Sequence, residues 1–168
     1  MDVICSTPCI KSVNLYGEKR NPMKANRYYT DRRNHELMAA YRNAIAYLLE
    51  KYGRIDYLLA VDRARYTATS RYFVDEYTAE RIISRMEVDA GCTDCMTGTR
   101  RSMYNFLYNE YLKLKEKYSN SSKRELVAMA CCMKAPYFFM TRLSAYRTIS
   151  RMLHNRRLTG ILSTDRSL

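Results

Sequence analysis

Apolar residues recur along this chain every three or four positions, which is the spacing of an α-helix that buries one face. They form one stripe between about residues 30 and 52, and a second stripe between about 100 and 118. Thr30 or Asp31 is placed to cap the first helix, and Gly53 to end it. The stripes are Leu37, Tyr41, Ile45, Leu48 and Tyr52, and Met103, Leu107, Tyr111, Leu114 and Tyr118.

Two shorter helices are predicted after each long one. The second helices cover about residues 56–66 and 122–133, and the third helices run from 76 to about 88 and from 142 onwards. Polar side chains stand where these helices should begin, and they are suitable N-caps: Asp75, Thr141, and Ser122 with Glu125 as a capping box. The inward-facing residues of the third helices are predicted to be Ala79, Ile82, Ile83 and Met86, and Ala145, Ile149, Met152 and Leu153.

The chain also matches itself when Glu50 is laid over Glu116. Residues 50–86 then align with 116–152 without a gap, and 12 of these 37 positions are identical. A constant offset over this length predicts a tandem duplication of one supersecondary unit. The identities in the first copy are Glu50, Lys51, Tyr52, Val61, Ala64, Phe73, Ala79, Arg81, Ile83, Ser84, Arg85 and Met86.

The predicted fold class is therefore all-α, a tandem duplication of a three-helix, helix-turn-helix-like unit whose copies share a core. Gly and Pro are scarce, with 5 and 3 residues, which disfavours a turn-rich β protein. The predicted organisation is a basic arm at 1–29, repeat one at 30–88, a linker at 89–99, repeat two at 100–153 and a basic tail at 154–168. We expect residues 34–86 and 100–152 to superpose.

The third helices carry the candidate functional residues. Once the inward positions are assigned, two Arg residues fall on the outer face of each helix, four positions apart, with a Ser beside them. Helix-turn-helix proteins present such a face to the major groove and its phosphates. The opposing observation is a connection of about eight residues before each third helix, where a helix-turn-helix has about three or four. The candidates are Arg81, Ser84, Arg85, Arg147, Ser150 and Arg151.

One part of this region resembles a known group of proteins. The run 71–76, followed by Ala79 and by Ile83-Ser84-Arg85-Met86, is similar to a motif in small helical proteins from phages and mobile elements of gut Bacteroidota. The run 135–138 resembles the Pro-aromatic lead-in of the same motif. The resemblance covers a small part of the chain and implies a phage or mobile-element setting rather than an activity.

The charge of the chain points to a polyanionic partner. Its 29 Lys and Arg residues against 17 Asp and Glu give a net charge of +12, and 16 Tyr residues add stacking faces and hydroxyl donors. Arg binds phosphate with a bidentate fork. We therefore predict a nucleic-acid partner, double-stranded DNA, contacted by the third helices, by Arg156 and Arg157 and by the arm. The alternative is a basic surface without a partner.

A second function remains open from the sequence alone. A structural virion protein, or a component of DNA packaging or assembly, would also carry this charge, and its Tyr- and Met-rich surface would serve contacts with phage assembly partners or with copies of itself. The N-terminus lacks a basic start followed by an apolar block, and no apolar run approaches the roughly 20 residues of a membrane span. We therefore expect no membrane partner, and a location in the host cytoplasm or in the virion.

Six Cys residues raise the question of a metal. Cys92 and Cys95 form a CxxC pair, and Cys5 and Cys9 form a CxxxC pair in the arm. Four thiolates in two close pairs are a conceivable structural zinc site, although the pairs are far apart in the sequence. Free thiols in a reducing compartment are the preferred interpretation, so no metal and no cofactor are predicted.

Catalytic chemistry has little support in the sequence. The two His residues, His35 and His154, belong to no recognisable triad or metal-ligand spacing, and no glycine-rich phosphate-binding loop is present. Four acids near the third helix of repeat one are better explained as caps or ion-pair partners. These acids are Asp62, Asp75, Glu76 and Glu80. We expect no enzymatic activity.

Overall fold

A computed structural model describes the backbone of residues 22–164 and the side chains of residues 27–155 apart from Ala90. Across this part of the chain the protein is all-α, with six α-helices and no extended strand. The helices are α1 Pro22–Tyr52, α2 Tyr57–Arg65, α3 Glu76–Val88, α4 Gly98–Lys117, α5 Lys123–Cys132 and α6 Arg142–Thr164. A short 3-10 helix, Ala90–Thr93, lies between α3 and α4.

Side-chain caps fix where the short helices begin, as the sequence predicted. The Asp75 carboxylate accepts a hydrogen bond from the Thr78 backbone N–H at 3.0 Å. The Ser122 hydroxyl accepts from the Glu125 N–H at 3.3 Å, while the Glu125 carboxylate accepts from the Ser122 N–H at 2.9 Å. These bonds satisfy donors that have no partner inside the helix. The capping box and the start of α3 are therefore confirmed.

The first and last helices, α1 and α6, extend beyond their predicted limits. α1 begins at Pro22, well before the predicted start at Thr30, and α6 continues to Thr164. Proline suits the first position of a helix because its fixed φ is helical and its missing N–H would have no partner there. Parts of the predicted arm and tail are thus helical. Residues 1–21 and 165–168 lie outside the described part of the chain.

The buried residues form two core clusters rather than the single shared core that we expected. In one cluster the third helix of the first half, α3, packs against α4 and α5. In the other, α6 packs against α1 and α2. Each half of the chain therefore contributes its third helix to the core of the other half.

Many buried positions that the sequence alignment pairs are divided between the two clusters, one member in each. Ile83 is buried in the first cluster and Ile149 in the second. The pairs Tyr72 and Phe138, Val74 and Met140, and Ala79 and Ala145 are divided in the same sense. The α2 and α5 pairs are divided in the opposite sense, with the residue of the second half in the first cluster: Ala60 and Leu126, Val61 and Val127, and Ala64 and Ala130. The apolar pattern that recurs in the sequence is thus buried twice.

The chain exchanges its third helices through two connections that pass each other. Thr69 and Ala135, which are paired positions of the two halves, form an isolated antiparallel bridge in which the Thr69 N–H donates to the Ala135 carbonyl at 2.9 Å. The Tyr72 N–H donates to the Cys131 carbonyl at 3.0 Å, and the Phe138 N–H donates to the Arg65 carbonyl at 3.0 Å. Because Phe138 corresponds to Tyr72 and Arg65 to Cys131, the last two bonds are reciprocal.

The aromatic stacks at the crossing are reciprocal in the same way. Tyr72 stacks on Phe139 with ring centroids 6.0 Å apart, and the equivalent pair Phe138 and Phe73 stacks at 6.3 Å. Phe139 has a backbone φ of +47°, which is unfavourable for a bulky residue. Its ring also packs within 4.1 Å of the Tyr137 ring, measured between centroids. Packing around the crossing thus holds a backbone conformation that costs energy by itself.

Cutting the linker tests this exchange. A protease site inserted between Cys95 and Met96 separates the halves covalently after folding. We expect the two fragments to elute together from a sizing column at the volume of the uncut chain, because each core is built from both fragments. The same sample in denaturant should give two separate fragments. Fragments that separate without denaturant would contradict the exchanged arrangement.

Candidate functional site

The outer faces of α3 and α6 are the candidate site. Arg81 and Arg85 on α3, and Arg147 and Arg151 on α6, are all exposed, while the inward residues of the same helices are mostly buried. The exceptions to the predicted inward set are Met152, which is half-buried, and Leu153, which is 38% exposed. The helical spacing thus assigned the four guanidinium groups to the correct face of each helix.

The two Ser candidates differ in their surroundings. Ser150 is exposed. Ser84 is half-buried, and its hydroxyl accepts a hydrogen bond from the Lys123 ammonium at 3.4 Å. Arg156 and Arg157 lie within the helical backbone of α6, but their side chains are outside the described part of the structure. A positive surface continuous with them, or with the arm, remains a prediction.

The four candidate Arg residues are not committed to ion pairs within the described residues. Other Arg residues of the same chain do form ion pairs. Arg65 lies 2.8 Å from the Asp62 carboxylate, and Arg71 lies 3.8 Å from the Glu76 carboxylate. Arg142, at the start of α6, also pairs with Asp62. The Arg residues that hold elements together therefore differ from those on the outer faces of α3 and α6.

An open groove of about 690 Å³ runs along the outer face of α3. Arg81, Ser84 and Arg85 line it, together with Tyr77, which is 70% exposed, and Glu80. The remaining lining residues are Val88, Asp89 and Cys92. Two cationic groups, an aromatic ring and a carboxylate are thus displayed along a single helix.

A cation that the sequence did not suggest lies on α1, the helix that packs against α6. Arg33 of α1 lies near Arg151, and burial together with the charge of Arg151 lowers the pKa of the Arg33 guanidinium. Its terminal nitrogen donates to the Asn34 side chain at 3.2 Å, but its buried Nε has no hydrogen-bond partner among the described residues. Arg33 lies on a different helix, so no spacing in the sequence could have joined it to Arg151.

The two faces are similar but not identical. Glu80 on α3 corresponds to Tyr146 on α6, and Val88 corresponds to His154. Glu80 partly neutralises the α3 face, whereas the α6 face lacks an acid at that position and lies near Arg33. Lys123 beside Ser84 is paired with Glu87, so it does not offset Glu80, and the α6 face is the more cationic of the two.

A polar cluster anchors α3 against the other half. The Glu87 carboxylate accepts a hydrogen bond from the Tyr111 hydroxyl at 2.8 Å and lies 2.9 Å from the Lys115 ammonium and 2.5 Å from that of Lys123. Burial raises the pKa of Glu87, but the hydrogen bonds from Lys123, Lys115 and Tyr111 outweigh it and hold the pKa at about 2. These bonds fix the orientation of α3.

The four positions that the sequence alignment pairs with these cluster residues are apolar. Leu153 takes the place of Glu87, and Ile45, Leu49 and Tyr57 take the places of Tyr111, Lys115 and Lys123. Leu49 and Tyr57 are exposed. At the turn between α1 and α2, Tyr57 groups with three other exposed side chains in an apolar patch along a pocket that Arg54 and Asp56 also line. The patch consists of Tyr52, Tyr57, Leu58 and Leu59. Periodicity along the sequence did not reveal this patch, because its members lie on two helices.

The cysteines and acids singled out from the sequence can be placed only in part. Cys92 is half-buried and Cys95 exposed, both as free thiols, while Cys5 and Cys9 lie outside the described residues, so the zinc hypothesis is untested. No group of three metal-binding side chains occurs within the described part of the chain. Asp75 serves as a cap, and Asp62 and Glu76 serve as ion-pair partners, as the sequence indicated.

Comparison with known proteins adds no relative to these observations. No protein-family model, no curated protein and no solved structure matches this chain. Among the described helices, none is long and apolar enough to cross a membrane.

The Glu87 cluster predicts a specific pH dependence. Because its pKa in the folded protein, about 2, is below the ordinary value of 4.5, Glu87 stabilises the fold above about pH 4.5, and this contribution is lost as the pH falls toward 2. We expect Glu87→Gln to lower the free energy of unfolding at pH 7 by about 1–2 kcal/mol, after allowance for screening of the exposed Lys ends.

Urea titrations between pH 7 and pH 3 measure this effect. The difference between the parent and Glu87→Gln should shrink as the pH falls through this range, since protonation removes the same charge that the substitution removes. Glu116→Gln, which changes an exposed carboxylate of α4, is the matched control and should lower the stability little. A constant difference at every pH would contradict the assigned role of Glu87.

Proposed function

We propose that this protein binds double-stranded DNA through the outer faces of α3 and α6, and that it is built from two tandemly duplicated, helix-turn-helix-like units. The observation that carries the proposal is a pair of exposed Arg residues, without ion-pair partners among the described residues, that recurs at equivalent positions of both third helices. Packing of the cores requires only the inward positions of these helices. Retention of the outward pair in both halves therefore favours a shared ligand.

The chemistry of these faces suits a phosphate backbone. A net charge of +12 attracts a polyanion over a distance, and Arg forks bind phosphate oxygens or guanine edges in bidentate geometry. Arg33 and Arg151 lie close enough for their charges to repel, and a bound phosphate would relieve that repulsion. The α6 face is therefore the stronger candidate for an anion contact.

The exchange of third helices changes how a helix-turn-helix would be assembled. Ten residues connect α2 to α3 and nine connect α5 to α6, which is too long for a tight turn within one half. However, α3 packs on α5 and α6 packs on α2. The supporting helix of each unit would thus come from the other half, and the long connections are the segments that make the crossing.

The proposed setting is a phage or mobile element, on the basis of the motif resemblance in residues 71–86 and 135–138. A DNA-binding protein of such an element acts in the cytoplasm of its host, and a virion component would be packaged. Both locations are compatible with this proposal.

The alternative function is a structural or DNA-packaging role in phage assembly. The apolar patch at the turn between α1 and α2 favours it, because exposed Tyr and Leu side chains grouped together commonly mark a protein contact. The corresponding turn of the other half carries Lys123, Arg124 and Glu125 in place of Tyr57, Leu58 and Leu59. A protein partner would therefore engage one half only.

Removal of one Arg from each face tests the proposed function. We expect Arg85→Ala combined with Arg151→Ala to leave the melting temperature nearly unchanged, because exposed charges contribute little to stability. The same change should weaken DNA binding and reduce the slope of log affinity against log salt by about one unit for each phosphate contact removed. Gel-shift titrations at two or more salt concentrations measure both quantities.

The matched control removes the same charge elsewhere. Lys51 and Lys117 are exposed, occupy equivalent positions of the two halves and belong to the ends of α1 and α4 rather than to the third helices. Lys51→Ala with Lys117→Ala should weaken binding much less than the Arg pair. Equal effects of both double variants would indicate a diffuse electrostatic binder, and unchanged binding by the Arg variant would favour the assembly role.

A further inference from the structure

The contacts at the crossing define how the two third helices are related in space. The bond from the Tyr72 N–H to the Cys131 carbonyl recurs, with the halves exchanged, as the bond from the Phe138 N–H to the Arg65 carbonyl. The stack of Tyr72 on Phe139 recurs in the same way as the stack of Phe138 on Phe73. Each of these contacts from the first half to the second is therefore matched by one from the second half to the first.

This reciprocity identifies the symmetry operation. A translation or an open screw would carry the first half onto the second and the second onto a third copy that does not exist. Only a twofold rotation exchanges two halves with one another. Thr69 and Ala135 are equivalent positions that pair directly with each other, so the approximate twofold axis passes through their bridge.

We infer that the DNA site is an inverted repeat, whose two half-sites are read by α3 and α6 of a single chain. This inference rests on the proposed DNA-binding function. A tandem duplication by itself suggests two half-sites in the same orientation, as successive modules of an array would read. A twofold axis reverses the second reading helix relative to the first, and the antiparallel strands of DNA match that reversal, as palindromic operators match dimeric proteins.

The substitutions between the faces determine where the two half-sites should differ. Arg81 and Arg85 are matched by Arg147 and Arg151, so both half-sites should share the contacts made by these positions. Glu80 can accept a hydrogen bond from a cytosine amino group, whereas Tyr146 at the equivalent position is not an anion. The inverted repeat should therefore be imperfect, with tighter binding by the more cationic α6.

Selection from a pool of random duplexes with the full-length protein tests this inference, followed by gel shifts on the selected site. We expect two similar half-sites in inverted orientation. Arg81→Ala with Arg85→Ala should remove the sequence preference at one half-site, and Arg147→Ala with Arg151→Ala at the other. Each pair should weaken binding to the selected duplex by about 10- to 100-fold.

Lysine variants separate reading of bases from attraction to phosphates. Arg85→Lys and Arg151→Lys keep the charge but remove the bidentate fork. Where these Arg residues read bases, we expect the Lys variants to relax the preference at one half-site each while keeping most of the affinity for random duplexes. Melting temperatures of all variants, measured by circular dichroism, verify that a change in binding is not a loss of fold.

The possible outcomes distinguish this inference from the function on which it rests. Two half-sites in direct orientation, a single half-site, or tight binding without sequence preference would overturn the inverted-repeat inference and leave DNA binding intact. No binding of any duplex by the parent protein at low salt would overturn the proposed function itself, and the inference with it.

Discussion

The structure depends on two connections that cross and hydrogen-bond to each other through their backbones. The bridge between Thr69 and Ala135 and the two bonds on either side of it satisfy buried backbone groups at the point where each chain segment leaves one core for the other. Thr69, Tyr72 and Ala135 are nearly inaccessible to water, so these bonds have no solvent alternative. The crossing therefore commits α3 and α6 to opposite cores.

Exchange of the third helices gives each core three helices, two from one half of the chain and one from the other. Both connections are long because they must cross, and their aromatic residues fill the space between the cores. Phe139 has a left-handed φ at this point, and the surrounding rings hold it there. Strain of this kind persists only where packing over-determines the backbone.

The two halves have the same order of three helices but differ in some of their surface residues. Where α3 meets α4 and α5, a hydrogen-bonded cluster is formed by Glu87, Tyr111, Lys115 and Lys123. The equivalent residues of α6, α1 and α2 are apolar and partly exposed. The outer Arg pairs, in contrast, are the same in both halves. Under the proposed function, the common Arg faces would bind a ligand that presents the same chemistry twice, while the differing residues would give each half a distinct neighbour.

The sequence by itself determined the helices, their order and most of their buried faces, because caps and apolar periodicity act over a few residues. Tyr52 and Tyr118, which end the two predicted stripes, are exposed instead. Asp75, Ser122 and Thr141 cap helices where predicted, and Arg81, Arg85, Arg147 and Arg151 are exposed as predicted. Only the tertiary structure decided which half completes each core, since α3 could bury the same residues against either half. It also decided the proximity of Arg33 to Arg151 and of Glu87 to Lys123, because contacts between distant segments leave no periodic signal along one chain.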